Sequence, residues 1–154
     1  MNAALLSSKR MDWNTPANVI EKIRAFAPIG LDPCSNVTSK VGAKVSWLSG
    51  GLEVSWTDYG LVYVNPPYGR ALKEWAFKII DEAHKGAEII ALVPARTDTK
   101  WFQSLFTECS NVCFWKGRIT FEGAPYPAPF PSALFYFGED TRFERIFELL
   151  GIVV

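Results

Sequence analysis

The sequence predicts an α/β fold in which a mostly parallel sheet carries helices on both faces and ends in an antiparallel edge strand. Short apolar runs typical of strands alternate with segments in which apolar residues recur every three or four positions, as in amphipathic helices. The run at 60–64 is almost uniformly apolar, which favours a central place in the sheet. The last two strand-like runs have no helix between them, and this predicts antiparallel pairing at one edge.

The first half of the chain predicts one helix and three strands. We expect the helix to begin at Thr15, whose hydroxyl can cap it, with Pro16 at the first helical position. Its apolar residues share one face: Val19, Ile20, Ile23 and Phe26. Strands are expected at 29–32, 43–47 and 60–64, where apolar runs are separated by polar or glycine-containing turns.

The second half of the chain continues the alternation of helices and strands. A helix is expected at 70–85, because six apolar residues recur there at helical spacing and Gly86 follows. The remaining elements follow in order: a strand at 87–94, a helix at 98–109 capped by Thr97 or Asp98, strands at 111–115 and 132–137, and a helix at 140–150.

Length and composition bound the class of protein. The 154 residues contain no repeat or linker, so we expect one domain at 12–154 after a loose lead-in at 1–11. Sixteen basic residues balance sixteen acidic ones, so attraction to a nucleic acid would need a local positive patch. The three cysteines lack zinc-site spacing and no signal peptide precedes them, which predicts no metal and a cytoplasmic setting. The apolar runs are too short to cross a membrane.

The motif Asn-Pro-Pro-Tyr follows the central strand at the edge where ligands of such sheets bind. The side-chain oxygen of Asn65 can accept one N–H of a planar amine such as adenine N6, and Pro66 and Pro67 can hold the Pro66 carbonyl ready for the other. Tyr68 can stack on the base. A surface turn or a polyproline ligand is the alternative, but a motif between a buried strand and a helix favours catalysis.

With its companions, the motif resembles one known family, the phage-type DNA adenine-N6 methyltransferases, which are S-adenosylmethionine-dependent enzymes of the class I Rossmann-like fold. The resemblance runs from Asp12 to Phe137. Its landmarks appear in order as DWNTP, LDPCSN, GLEVSW, VNPPYGR, LVPARTDTKWF and GRITF. It implies a phage or prophage protein and catalysis by Asn65, Pro66, Pro67 and Tyr68.

The resemblance also implies which residues hold S-adenosylmethionine. Trp13, Thr15 and Pro16 resemble the segment at the methionine carboxylate, where a helix N-terminus suits an anion. Asp32 would meet the cofactor ammonium, and the pocket would be lined by the backbone from Pro33 through Cys34 to Ser35, with Asn65 beside it. The stretch lacks the glycine-rich loop of many methyltransferases, and no residue is assigned to the ribose.

Positive residues after strand ends predict the contact with DNA. Arg70, Arg96, Lys100, Lys116 and Arg118 are expected on the face that presents Tyr68, Arg70 and Arg96 foremost. Phosphate contacts there would anchor DNA while an adenine is flipped into the pocket. Each of these residues alone is equally consistent with a solvated surface charge.

The favoured hypothesis is therefore a DNA methyltransferase acting on adenine N6, without a separate target-recognition domain. Specificity would come from 94–100, from the proline-rich segment 122–132, or from a second copy, since the sequence leaves the oligomeric state open, a homodimer included. Two alternatives stay open. The same chemistry suits RNA guanine or protein glutamine, and the fold also suits a non-catalytic nucleic-acid-binding module.

Overall fold

A computed structural model of the chain describes residues 13–154; the lead-in expected at 1–11 and Asp12 lie outside that range. The described residues form four helices and seven strands. The helices are α1 (Ala17–Phe26), α2 (Leu72–His84), α3 (Lys100–Glu108) and α4 (Arg142–Phe147). The strands are β1 (Ile29–Asp32), β2 (Val45–Ser46), β3 (Leu61–Val64), β4 (Glu88–Pro94), β5 (Asn111–Trp115), β6 (Ser132–Phe137) and β7 (Gly151–Val153).

The strands form one mixed sheet in the order β2-β1-β3-β4-β6-β5-β7. The pairs β1–β2, β1–β3 and β3–β4 are parallel, whereas β4–β6, β5–β6 and β5–β7 are antiparallel. These pairings give β1 to β5 a common direction and turn only β6 and β7 the other way. The carboxyl ends of five strands therefore lie along one edge of the sheet.

The antiparallel part of the sheet is larger than the sequence predicted. Instead of a single antiparallel edge strand, β6 lies inside the sheet between β4 and β5, and β7 forms the edge. Strand β7 was not predicted; it is only three residues long, and its Ile152 is 72% exposed. Half of the neighbouring pairs are thus antiparallel, so the expected mostly parallel pairing is corrected to a mixed sheet.

The helices cover both faces of the sheet. Successive side chains of a strand point to opposite faces, and Phe135 and Tyr136 of β6 show which helix lies where. Phe135 packs edge to face on Phe102 of α3, with ring centroids 5.1 Å apart. Tyr136 stacks on Phe143 of α4 at 4.9 Å and meets Phe26 of α1 at 5.2 Å. Helices α1 and α4 therefore share one face, opposite α3.

Two helix starts differ from the prediction. Pro16 precedes α1 in an extended conformation, and no side chain caps the helix, because the Thr15 hydroxyl is engaged by Tyr63 and Asn65. Helix α3 begins at Lys100, and its cap is Thr99, whose hydroxyl accepts a hydrogen bond from the Phe102 amide. Thr15 was thus wrong as a cap because a long-range partner claims its hydroxyl.

Glu82 in α2 fixes the loop that leads into β3. Its buried carboxylate accepts hydrogen bonds from the Trp56 amide at 2.6 Å and the Ser55 hydroxyl at 3.0 Å, and pairs with Lys78 at 3.0 Å. Burial alone would raise the pKa of Glu82, but these hydrogen bonds and the Lys78 charge together lower it to about 2.

No helix within 13–154 is long and apolar enough to span a bilayer.

Candidate active site

A pocket opens where β1 and β3 end side by side. The chain leaves β1 towards β2 on one side and places β3 on the other, so this is a switch point of the sheet, where open α/β folds bind their ligands. The pocket lies between the end of β1, the end of β3 and the segment before α1, and its space of about 440 Å³ includes the mouth that is open to solvent. Its lining includes Trp13, Asn14, Thr15, Asp32, Cys34, Ser35, Asn36, Ser39, Val41, Tyr63, Asn65 and Pro67.

Asn65, one residue beyond β3, is held in a single orientation by the segment before α1. Its Nδ2 donates to the Trp13 carbonyl oxygen at 2.6 Å and to the Thr15 hydroxyl at 3.2 Å. Because a carbonyl oxygen can only accept, the amide nitrogen must face Trp13. Asn65 Oδ1 is left buried, with no hydrogen-bond partner among the described residues.

The rest of the motif continues from this strand end into α2. No residue of the described chain donates a hydrogen bond to the Pro66 carbonyl. Gly69 takes a φ of 92°, the left-handed region that glycine enters without a steric penalty, and its carbonyl accepts the Leu72 amide as α2 begins. The motif therefore sits on a tight strand-to-helix turn.

Tyr68 lies in an aromatic cluster and is 6% exposed. Its ring meets Phe121 and Phe130 edge to face, with centroids 6.0 Å and 5.4 Å apart. Burial raises the pKa of Tyr68 well above its ordinary value, so the hydroxyl stays protonated. Phe121 also contacts the Trp13 ring at 6.3 Å, and thus joins the two segments that flank Asn65.

Asp32 ends β1 with its carboxylate inside the pocket and is 3% exposed. Burial raises its pKa to about 6, although hydrogen bonds from the Cys34 amide and the Ser35 side chain act in the opposite direction. Burial and the Asp32 charge raise the pKa of the Cys34 thiol to about 12, so Cys34 is not a nucleophile. A buried acid of this kind is suited to a cationic ligand.

A network of hydrogen bonds that the sequence did not reveal shapes the pocket wall. Asn36 Nδ2 donates to Asn14 Oδ1 at 2.7 Å, and Asn14 Nδ2 donates to Thr38 at 2.8 Å. The Asn14 carbonyl accepts the Glu122 amide at 3.0 Å, and Glu122 pairs with Lys40 at 2.6 Å. Three segments distant in sequence are joined in this way, and the only sequence signal was the asparagine content of the turns.

The predicted cations follow strands that run in the same direction, so they lie along the edge that carries the pocket. Arg70 follows β3, Arg96 and Lys100 follow β4, and Arg118 follows β5; all are exposed. Arg96 lies over the Phe130 ring at 5.8 Å, and its charge acts on Tyr68. No acid of the described chain pairs with any of these four. Four cations without an acidic partner in the described chain thus lie along the edge that carries the pocket.

The structure brings most of the predicted cofactor residues together. Trp13, Thr15, Asp32, Cys34, Ser35 and Asn65 line one pocket. Pro16 and Pro33 are outside its lining: Pro16 precedes α1, and the Pro33 carbonyl packs against Gly51, where an added Cβ would overlap it. The sequence analysis missed Asn14, Asn36 and Tyr63 of the lining.

Comparison with known proteins agrees with this geometry. A search of curated proteins finds no match. The family model described as DNA N-6-adenine-methyltransferase (Dam) matches residues 2–130, which is most of the chain and includes the strand ends that build the pocket. The chain therefore belongs to the DNA N6-adenine methyltransferases, and its function is methylation of adenine N6 in DNA.

Proposed function

We propose that this chain transfers a methyl group from S-adenosylmethionine to the N6 of an adenine flipped out of DNA, with Asn65 and the Pro66 carbonyl as hydrogen-bond acceptors. The unpaired Asn65 Oδ1 carries the proposal. A buried acceptor without a partner costs roughly 1–3 kcal/mol, so such an atom is retained where a ligand supplies its hydrogen bond. The exocyclic amine of adenine supplies an N–H donor of this kind.

The two acceptors favour the transition state over the bound substrate. The lone pair of an aromatic amine is delocalised into the ring, and the nitrogen becomes tetrahedral and positive as it forms its new bond. Fixed acceptors on the two N–H groups stabilise that positive charge, so no ionised base is required. Asn65 is held in place by Trp13 and Thr15, so it needs little reorganisation during the reaction.

The pocket beside Asn65 fits S-adenosylmethionine. When bound, this group supplies the electrophilic methyl carbon. Its amino group suits the carboxylate of Asp32, and its carboxylate suits the amide end of α1, which begins two residues after Thr15. In the proposal, Trp13, Thr15, Pro16, Asp32, Cys34 and Ser35 hold the cofactor, with Pro33 shaping the loop.

The fold supports the same assignment. Five strands with a common direction, a switch point at β1 and helices on both faces are consistent with the class I Rossmann-like fold. We infer that the chain has a class I Rossmann-like fold, and that it is a variant of this fold in which half of the neighbouring strand pairs are antiparallel. A phage or prophage origin and a cytoplasmic setting complete the proposal.

DNA is proposed to lie along the edge formed by Arg70, Arg96, Lys100 and Arg118. An adenine within a stacked duplex cannot reach Asn65, so the base must be rotated out of the helix at a cost of a few kcal/mol. Phosphate contacts by unpaired cations would offset that cost. Tyr68 and Phe121 pack against each other and are both buried, so stacking of the flipped base on Tyr68 would require this aromatic cluster to open.

The test offers tritiated S-adenosylmethionine to the protein with unmethylated duplex DNA, single-stranded DNA, RNA and cell protein. Label is expected only in DNA, as N6-methyladenine. Asn65→Ala should lower kcat by about 10²–10³-fold with cofactor affinity kept, as when a preorganised hydrogen-bonding group is removed elsewhere. Asn111→Ala, at the opposite edge of the sheet, is the matched control. Label in RNA or protein, or full turnover by Asn65→Ala, would overturn the proposal.

A further inference from the structure

Tyr63 has no part in the reaction described above, yet its hydroxyl lies two contacts from the side-chain amide of Asn65. Tyr63 Oη is 2.6 Å from Thr15 Oγ1, which is 3.2 Å from Asn65 Nδ2. Tyr63 occupies the middle of a strand buried at all four positions. A phenylalanine there would fill the same space without a polar atom to satisfy, so the buried hydroxyl calls for a specific partner.

The Tyr63 hydroxyl engages Thr15, and either of the two hydroxyls can be the donor. Thr15 is the only described residue that hydrogen-bonds to Tyr63 Oη, and both residues are buried. If Thr15 donates, its one hydrogen is committed to Tyr63. If Tyr63 donates, it occupies one lone pair of the Thr15 oxygen.

In both arrangements Thr15 is an acceptor towards Asn65. A hydroxyl oxygen has two lone pairs and one hydrogen. Asn65 Nδ2 can only donate, so it takes one lone pair of Thr15, while Tyr63 engages either the Thr15 hydrogen or the other lone pair. An amide rotated by half a turn would instead place Oδ1 against the Trp13 carbonyl oxygen, which can only accept.

We propose that Tyr63 is a positioning residue, which acts through Thr15 to keep Asn65 Oδ1 turned towards the target amine. The inference rests on the proposed function of Asn65. It assigns a polar role to a residue within the hydrophobic core, and it couples the cofactor pocket, which Tyr63 and Thr15 also line, to the acceptor of the methyl-transfer step.

The test removes one oxygen at a time. Tyr63→Phe should lower kcat by about tenfold, the kinetic equivalent of about one hydrogen bond, with KM for cofactor and DNA changed less than about threefold. Tyr136→Phe is the matched control, because Tyr136 is also a fully buried strand tyrosine, whose hydroxyl meets Glu88 at 2.5 Å on another part of the sheet. It should keep full kcat whatever stability it loses.

A double-mutant cycle separates positioning from packing. Tyr63→Phe should add less than about twofold to the loss caused by Thr15→Val, since the path to Asn65 is already broken. The proposal would be overturned if the double variant lost the product of the two single-variant losses in kcat, or if Tyr63→Phe left kcat unchanged.

A second readout does not depend on activity. The side-chain amide of Asn65 gives a pair of ¹⁵N-correlated signals, assigned by their loss in Asn65→Ala. These signals should move in Tyr63→Phe and stay in place in Tyr136→Phe; identical signals in Tyr63→Phe would refute the coupling. If wild-type protein methylates no DNA, the proposed function fails, while the amide signals still decide whether Tyr63 orients Asn65.

Discussion

Protonation of Asp32 should control cofactor affinity in mildly acidic solution. Burial raises the pKa of this carboxyl from 3.8 to about 6 in the unliganded protein. In the proposed site, the ammonium of S-adenosylmethionine would pair with the carboxylate and gain nothing from the neutral acid. Lowering the pH through about 6 therefore removes the form of the protein that binds.

The size of the effect follows from the fraction of Asp32 that is ionised. About one pH unit below the pKa, roughly one molecule in eleven carries the carboxylate, whereas one unit above it roughly ten in eleven do. The apparent Kd at about pH 5 should thus be about tenfold higher than at about pH 7. The free energy of unfolding changes with pH in the opposite sense to the affinity. Because the pKa of Asp32 is higher in the folded protein than the ordinary 3.8, Asp32 makes its full contribution to stability below pH 3.8, and this contribution is lost as the pH rises through about 6.

Calorimetric titration with S-adenosylhomocysteine, which keeps the ammonium, measures both the Kd and the proton change. Binding near pH 6 should release a fraction of a proton, seen as a heat that depends on the ionisation enthalpy of the buffer. Asp32→Asn should bind more weakly at neutral pH and show no pH dependence from about 5 to about 7. A flat profile in wild type, or an unchanged slope in Asp32→Asn, would refute the placement of the ammonium at Asp32.

Three further predictions test other parts of the structure. Asn65→Asp should lose activity because a carboxylate would face the Trp13 carbonyl; activity should partly return as the pH falls and the acid is protonated, a rise that wild type lacks. Arg96→Ala should weaken DNA binding and reduce the slope of log K against log salt by about 0.9, whereas Arg142→Ala, paired with Asp140 at the opposite edge, should leave the slope unchanged. Glu82→Ala should lower the free energy of unfolding in urea by about 3–5 kcal/mol, because Lys78 and the Trp56 amide lose their buried partner, and the wild-type contribution should be lost as pH falls from 4.5 through about 2. An unchanged unfolding midpoint in Glu82→Ala would contradict that account.

Strands and motifs with a local signal could be predicted from the sequence. The strands at 29–32, 111–115 and 132–137 were predicted with the bounds that the structure has, because apolar runs ended at turn residues. The strand predicted at 43–47 is paired only over Val45–Ser46. The carboxyl ends of parallel strands meet at one edge, so placing Asp32 and Asn65 together needed only the strand order.

Features set by long-range contacts could not be predicted. Whether Thr15 caps a helix or bonds elsewhere depends on Tyr63, which is 48 residues away and looks like an ordinary strand residue. The place of β6 inside the sheet depends on pairing with both β4 and β5, and a run of apolar residues does not specify its neighbours. The pairing of Asn14 with Asn36 likewise has no periodic signal.

The site explains why an amide stands at position 65 when a carboxylate has the same shape. The Trp13 carbonyl lies 2.6 Å from the side-chain nitrogen, so the group facing it must donate, while in the proposed reaction the group facing the substrate must accept. Asparagine meets both demands without ionising. In the proposed site, the segment before α1 thus has two tasks: it would hold Thr15 and Trp13 against the cofactor, and it would orient the acceptor for the target amine. A change in that segment should alter cofactor binding and the methyl-transfer step together.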